Sequence, residues 1–159
     1  VGKSIEKNIQ ATKNIIDSGH EIGNHSYTHQ RMVLKTYNFV AAELEKTNEL
    51  ITQAGYSGVI HFRPPYGKKL FSLPYYLSQN KITTVTWDVE PETYLDKSAS
   101  ASEIAEYVVQ NTKPGSIILL HVMFKSRTNS MAAVPSIVQQ LKDKGYRFVT
   151  VSELIGTRA

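Results

Sequence analysis

The sequence predicts an α/β fold built on parallel strands, and two observations carry that expectation. Five short apolar, β-branched segments alternate with amphipathic helical stretches, as expected of strands that need crossover connections and are buried on both faces. The residues with chemical capability also fall at or just after the ends of those strands, where (β/α) barrels build their sites. The second observation favours a barrel over an open sheet.

The elements follow in order. Ile5, Ile9, Thr12 and Ile16 recur at helical spacing after Ser4 and stop at Gly19, which predicts a capped helix closed by glycine. The HEI run, residues 20–22, reads as a short strand. A second helix is expected from about Thr36, where Phe39, Val40, Glu43, Leu44, Thr47, Leu50 and Ile51 precede Gly55 and the apolar members form one stripe. VIHFR is a brief strand ending in RPPYG, and KITTVTW is a third strand ending where the acidic DVEPETY begins. A helix around Ile104, Tyr107 and Val108 leads through PGS into SIILLH, the most apolar run of the chain. Val134, Ile137, Val138 and Leu141 make a last amphipathic helix closed at Gly145, and YRFVTV supplies the fifth strand. There is no internal repeat and no linker, so residues 1–159 read as one domain.

Composition narrows the chemistry. With 159 residues, 41% hydrophobic and 20% charged, the chain has the make-up of an ordinary globular protein. Its 18 Lys and Arg against 14 Asp and Glu give a net charge of +4, but the charges are scattered, so no nucleic-acid partner is expected. The absence of cysteine excludes disulfides, thiolate nucleophiles and Cys-ligated zinc, which leaves His and carboxylates as the only metal ligands. No run of about 18 apolar residues spans a membrane.

Four clusters carry possible chemistry. His25 and His29 of HSYTH stand at i,i+4, would share one face of a helical turn, and can grip a divalent cation; the plainer alternative is two surface histidines. Arg63 precedes Pro64 and Pro65, which stiffen the loop and fix both the guanidinium and the Tyr66 amide; the alternative is a rigid turn with Tyr66 as a lid. His121 ends an apolar strand, where a half-screened imidazole can serve as general acid or base, or simply be a satisfied core histidine. Asp88, Glu90 and Glu92 sit beside Trp87 and Tyr94, as a carboxylate cluster or as solvated loop acids.

In combination, GHEIGNHSYTH, FRPPYG, an acidic Trp/Tyr segment and SIILLH resemble successive motifs of the polysaccharide deacetylase (NodB-homology) family, carbohydrate esterase family four, and LKDKGYRFVTVSEL resembles that family's C-terminal strand and helix. The resemblance implies a distorted (β/α) barrel that removes N-acetyl groups from chitin-like or peptidoglycan polymers with a divalent metal, zinc foremost, with cobalt, nickel or manganese as alternatives. It implies that His25 and His29 are metal ligands, His121 the acid that protonates the leaving amine, Arg63 the residue that orients the catalytic aspartate, and the Tyr66 amide an oxyanion donor. Leu119, Trp87, Tyr94 and Pro65 would line the substrate pocket. A secreted, periplasmic or cell-envelope location follows from the same resemblance. The chemistry is coherent: an amide needs a Lewis acid, a base for the attacking water and an acid for the amine.

The sequence departs from the family pattern twice. The family's Asp-Asp pair, which supplies the base and the third metal ligand, has no counterpart among Asp17, Asp88, Asp96 and Asp143, so the first barrel strands and that Asp ligand are expected upstream of Val1. In the acidic motif, Thr93 falls where the carboxylate tuning the acid His is expected, with Glu90 or Glu92 as substitutes. The expected function is therefore a metal-dependent carbohydrate N-deacetylase, with an O-acetyl esterase on xylan or exopolysaccharide, or a non-catalytic carbohydrate-binding pseudoenzyme, as alternatives.

Overall fold

Asn8 divides the first expected helix. In the structure, a computed structural model that describes residues 1–156, α1 (Gly2–Lys7) ends at Asn8, whose side chain accepts the Ala11 amide at 3.1 Å and caps α2 (Ile9–Asp17). Asparagine competes for local backbone amides in this way, so it starts a helix more readily than it continues one. The second expected helix is α3 (Tyr37–Gln53), capped by Thr36, which accepts the Phe39 amide at 3.2 Å.

The chain forms two compact units, one of Val1–Thr86 with the segment from Thr150, the other of Trp87–Val149. In the first, Met32, Val40, Leu44, Phe62, Leu73, Tyr76 and Leu77 pack between α3 and α4 (Ser72–Gln79). The α4 helix has no counterpart in the sequence reading. In the second, the one-turn helix α5 (Pro91–Tyr94) precedes α6 (Ala101–Asn111), whose Ser100 and Glu103 form a reciprocal capping box. Ile104, Ala105, Val108 and Val109 of α6 interleave with Ala133, Ile137 and Leu141 of α7 (Thr128–Asp143), and Val89 closes the cluster.

The strands are the main correction. Among the described residues, pairing is reduced to isolated bridges, all parallel: Asn24 with Phe62, Phe62 with Thr84, Met32 with Lys69, and Val89 with Ile118. The parallel direction and the centring on VIHFR, KITTVTW and SIILLH agree with expectation; the extended ladders do not form, and HEI itself makes no bridge, the pairing falling two residues later at Asn24. Side chains account for part of this. Pro64 has no amide to extend the Phe62 ladder, and the Ile117 and His121 amides donate to the carboxylates of Asp88 and Glu92 instead of to strand carbonyls, at 2.8 and 3.1 Å. YRFVTV, expected as the fifth strand, makes no bridge among the described residues, and its last residues pass into α8 (Val151–Gly156), which Thr150 and Glu153 cap reciprocally at 2.9 and 3.2 Å. No helix among the described residues is long and apolar enough to cross a membrane.

Candidate functional site

In the first unit, HSYTH is not a helical turn. Ser26 and His29 take left-handed backbone angles, φ 62° and 61°, and side chains supply the acceptors that helix carbonyls would otherwise provide. Asn24 Oδ1 accepts the Ser26 amide at 2.8 Å, and Ser26 Oγ accepts the His29 amide at 3.0 Å. Glu43, buried on α3, accepts the Tyr27 and Thr28 amides and the Thr28 hydroxyl at 3.1, 2.8 and 2.8 Å. Asn24 is itself fixed by donating to the Leu44 carbonyl and to Asn48. From the other side, the first amides of α1, Gly2 and Lys3, donate to the carbonyls of Ser26 and Tyr27 at 2.9 and 3.1 Å. This approach requires glycine, because a Cβ at Gly2 would lie 2.6 Å from the Tyr27 ring.

The loop so held brings the two imidazoles together, with ring centroids 4.8 Å apart at 74°. His25 Nδ1 lies 2.6 Å from the main-chain oxygen of Arg63. A carbonyl can only accept, so Nδ1 carries the proton and Nε2 presents its lone pair, the tautomer a metal ligand needs. Burial pushes the His25 imidazole down to about 4, with the charge of His29 a lesser contribution, so the ring is neutral at physiological pH. Tyr66, at φ 59° in the 3-10 turn Pro65–Gly67, sets its ring 5.0 Å from that of His29, and the Arg31 guanidinium lies 5.2 Å over the Tyr66 ring. Pro65 is buried beneath this turn. The Arg63 guanidinium is half-buried, and desolvation lowers its affinity for its proton.

In the second unit, His121 meets Glu92. The Glu92 carboxylate grips the histidine twice, taking Nδ1 through one oxygen at very short range and the backbone amide through the other. Burial pushes the Glu92 carboxyl up, but the hydrogen bonds from Ser130 and His121 outweigh it and hold the group below the ordinary carboxylate range. Glu90 faces a different partner, accepting the Trp87 indole N–H at 2.9 Å. Leu119 is held by its amide on the Val89 carbonyl at 2.8 Å, and Tyr94 is 71% exposed and stacks on Tyr107. Thr93 is exposed.

The donor set of the first unit suits a divalent cation as far as it goes: two adjacent imidazoles, one neutral with its tautomer fixed. Among the described residues no cluster of three or more His, Cys, Asp or Glu completes such a site. The supports, Asn24, Glu43, Arg127 and Ser130, were given no part in the site by the sequence: Asn24 stood only within GHEIGNHSYTH and Glu43 only among the members of the second helix. The visible signal for Glu43 is a charge within the buried stripe of α3; Ser130 has one only once α7 is started at Thr128, where it joins Ala133, Ile137 and Leu141 on the buried face.

These two arrangements, a histidine pair on a braced loop and a carboxylate-clamped histidine, occur in a chain whose relatives include peptidoglycan and xylan deacetylases. The chain belongs to the polysaccharide deacetylase family, whose sequence profile matches residues 1–85, more than half of its length. It is 33% identical to a peptidoglycan-N-acetylglucosamine deacetylase of Bacillus cereus over 99% of this chain and 57% of that protein. It is 35% identical to a bifunctional xylanase/xylan deacetylase of Cellvibrio japonicus over 91% of this chain and 21% of that one. The chain thus spans little more than half of the first relative and about a fifth of the second. Among solved structures, a peptidoglycan N-acetylglucosamine deacetylase superposes with a TM-score of 0.87 at 34% identity, over 97% of this chain and 72% of that one. A family-four pseudoenzyme from Bacillus anthracis superposes with a TM-score of 0.85 at 27% identity, over 96% and 52%. The chain therefore shares the fold of the carbohydrate esterase family four deacetylases.

Proposed function

We propose that this chain carries the ligand-histidine and acid-histidine parts of a metal-dependent deacetylase acting on N-acetylated amino sugars of a cell-wall polymer, with peptidoglycan as the leading substrate. The reading places the parallel bridges in the family's distorted (β/α) barrel and the protein at the cell envelope. The observation that carries it is the His25–His29 pair: a buried, neutral imidazole whose Nδ1–H is committed to Arg63, beside a second imidazole. The peptidoglycan deacetylase relatives supply the substrate class.

In this reading His25 and His29 hold a divalent cation, zinc first, together with a carboxylate from another part of the protein. When bound, the cation supplies carbonyl polarisation and water activation. The Tyr66 amide offers a hydrogen bond to the developing oxyanion, and Arg63 orients the base. His121, fixed by Glu92, donates its Nε2 proton to the departing amine nitrogen. Leu119, Trp87, Tyr94 and Pro65 are assigned to the walls that receive the sugar.

Two other readings have specific support. The xylan deacetylase relative supports O-acetyl esterase action. The pseudoenzyme neighbour, together with the lack of a third ligand among the described residues, supports a non-catalytic carbohydrate-binding role. Acetate release from peptidoglycan, chitooligosaccharides and acetylxylan, measured side by side with metal content, separates the three. Release from the amino-sugar polymers in proportion to bound metal supports the proposal. Release from acetylxylan alone, or from no substrate at full metal content, overturns it.

A further inference from the structure

The family pattern expects the carboxylate that tunes the acid histidine at position 93, but this chain has an exposed threonine there and places the carboxylate one residue earlier. Glu92 sits in the single turn of α5 behind Pro91, and its side chain is only 4% exposed. Glutamate has one methylene more than aspartate, which gives it extra reach from the earlier position, but that extra bond also adds a rotation that must be fixed. Two residues provide the fixing. Ser130, 2% exposed in the first turn of α7, donates Oγ–H to Glu92 Oε1 at 2.6 Å. Arg127, in the 3-10 turn just ahead of α7, places Nε 3.8 Å from Oε2, the oxygen that also takes the His121 ring.

We propose that Ser130 and Arg127 are positioning residues that act through Glu92 on His121, and that together they replace the constraint an aspartate at position 93 would supply. The proposal rests on the reading of His121 as the acid of a deacetylase. Ser130 fixes the carboxylate plane, because Oε1 then has both the His121 amide and the Ser130 hydroxyl and Oε2 is left facing the ring. With Nδ1 held, Nε2 is the only ring position that exchanges a proton with the amine. Arg127 acts by charge. It stabilises ionised Glu92 and opposes a positive charge on the ring, so it sets how firmly the pair holds its proton. Glu92, Arg127 and Ser130 line a cavity of about 180 Å³ whose other charged lining residues are Asp96 and Lys97.

The roles predict opposite displacements. In the full protein, Ser130→Ala lowers kcat about tenfold at unchanged KM, the size of one hydrogen bond to a charged group, and Ser130→Thr, which keeps the hydroxyl, recovers part of it. Arg127→Met moves the alkaline limb of the kcat profile to higher pH, and Glu92→Gln moves it to lower pH. A merely structural role would lower the amplitude in both variants without moving the limbs apart. The imidazole nitrogens of His121, followed by long-range ¹⁵N–¹H spectroscopy across pH, give a readout independent of turnover. The wild type shows a proton fixed on Nδ1 in the neutral ring, and Ser130→Ala shows mixed tautomers. Ring spectra unchanged by Ser130→Ala, or limbs that move the same way in Arg127→Met and Glu92→Gln, overturn the proposal. If no form releases acetate, the deacetylase reading fails while the ring spectra still decide the positioning.

Discussion

His25 donates its ring Nδ1–H to the backbone carbonyl of Arg63 at 2.6 Å, so one residue of the FRPPYG segment sets the tautomer of a histidine 38 positions away. The bond joins two motifs that are separate in sequence, and it is made by backbone, so no substitution of the Arg63 side chain removes it directly. On the proposed reading, His25→Ala should abolish retention of the cation, whereas Arg63→Lys, which keeps the carbonyl, should preserve it and lower turnover. Metal content of the two purified variants checks this; equal loss from both would separate the tautomer from metal binding.

The braced loop also makes a stability prediction. Glu43 accepts three hydrogen bonds from Tyr27 and Thr28 while buried on α3. Glu43→Ala leaves buried donors unmatched and costs about 2 to 4 kcal/mol, and Glu43→Gln, which keeps one acceptor oxygen, costs less. Urea midpoints measure the difference, and the alanine variant should lose metal affinity in the same order. A midpoint unchanged in Glu43→Ala would show that the loop holds its shape by other means.

Acid should weaken the metal-free fold through His25. The unfolded chain takes up this proton from about pH 6.5 downward, while the folded ring, held down by burial, does not until about 4. The unfolded state binds more protons in that window, so stability falls as pH drops through it and is unaffected above it. Denaturation of metal-free protein at neutral pH and near the lower end of the window should show a smaller acid loss for His25→Gln than for the wild type. Equal losses in the two would contradict the burial argument.

How much was legible in the sequence follows from where the information lay. The amphipathic stripes of α3, α6 and α7 were readable because each buries one face against a core cluster, and GHEIGNHSYTH and FRPPYG flagged the histidine pair because in that order they resemble successive motifs of the deacetylase family, whereas the i,i+4 spacing of His25 and His29 alone is common. The ladders were overread: β-branched runs report a half-buried extended chain, but Pro64, Asp88 and Glu92 redirect the pairing through side chains that no periodicity shows. The helix after YRFVTV was implied by the family resemblance, and the TVSE box at Thr150–Glu153 is the local cap that sets its start. HSYTH was expected as a helical turn because i,i+4 spacing is helical by default; its loop depends on the adjacent Asn24 and on Glu43, 18 residues beyond His25, and the spacing within HSYTH reveals neither.

The clamp on His121 separates leaving groups. His121→Ala should lower N-deacetylation by about 10² to 10⁴, the usual contribution of a general acid, and should affect hydrolysis of an activated acetate ester far less, because that leaving group departs without protonation. Metal content should stay at the wild-type level. Equal loss on both substrates would return His121 to a structural histidine at the end of SIILLH.

The core offers a control outside the site. Phe62 is fully buried among Met32, Leu44 and Leu77, and its backbone bridges to both Asn24 and Thr84. Phe62→Ala should cost about 3 to 5 kcal/mol, seen as a lowered denaturant midpoint. A cost well under 1 kcal/mol would show that this packing is not what holds the first unit together.

The most direct test of the account is acetate release from peptidoglycan by the full protein before chelation, after chelation and after return of zinc, with His25→Ala carried in parallel. Chelation should stop release, zinc should restore it in the wild type, and neither treatment should rescue His25→Ala. Acetate release that survives chelation, or that persists at the wild-type rate in His25→Ala, would contradict the account.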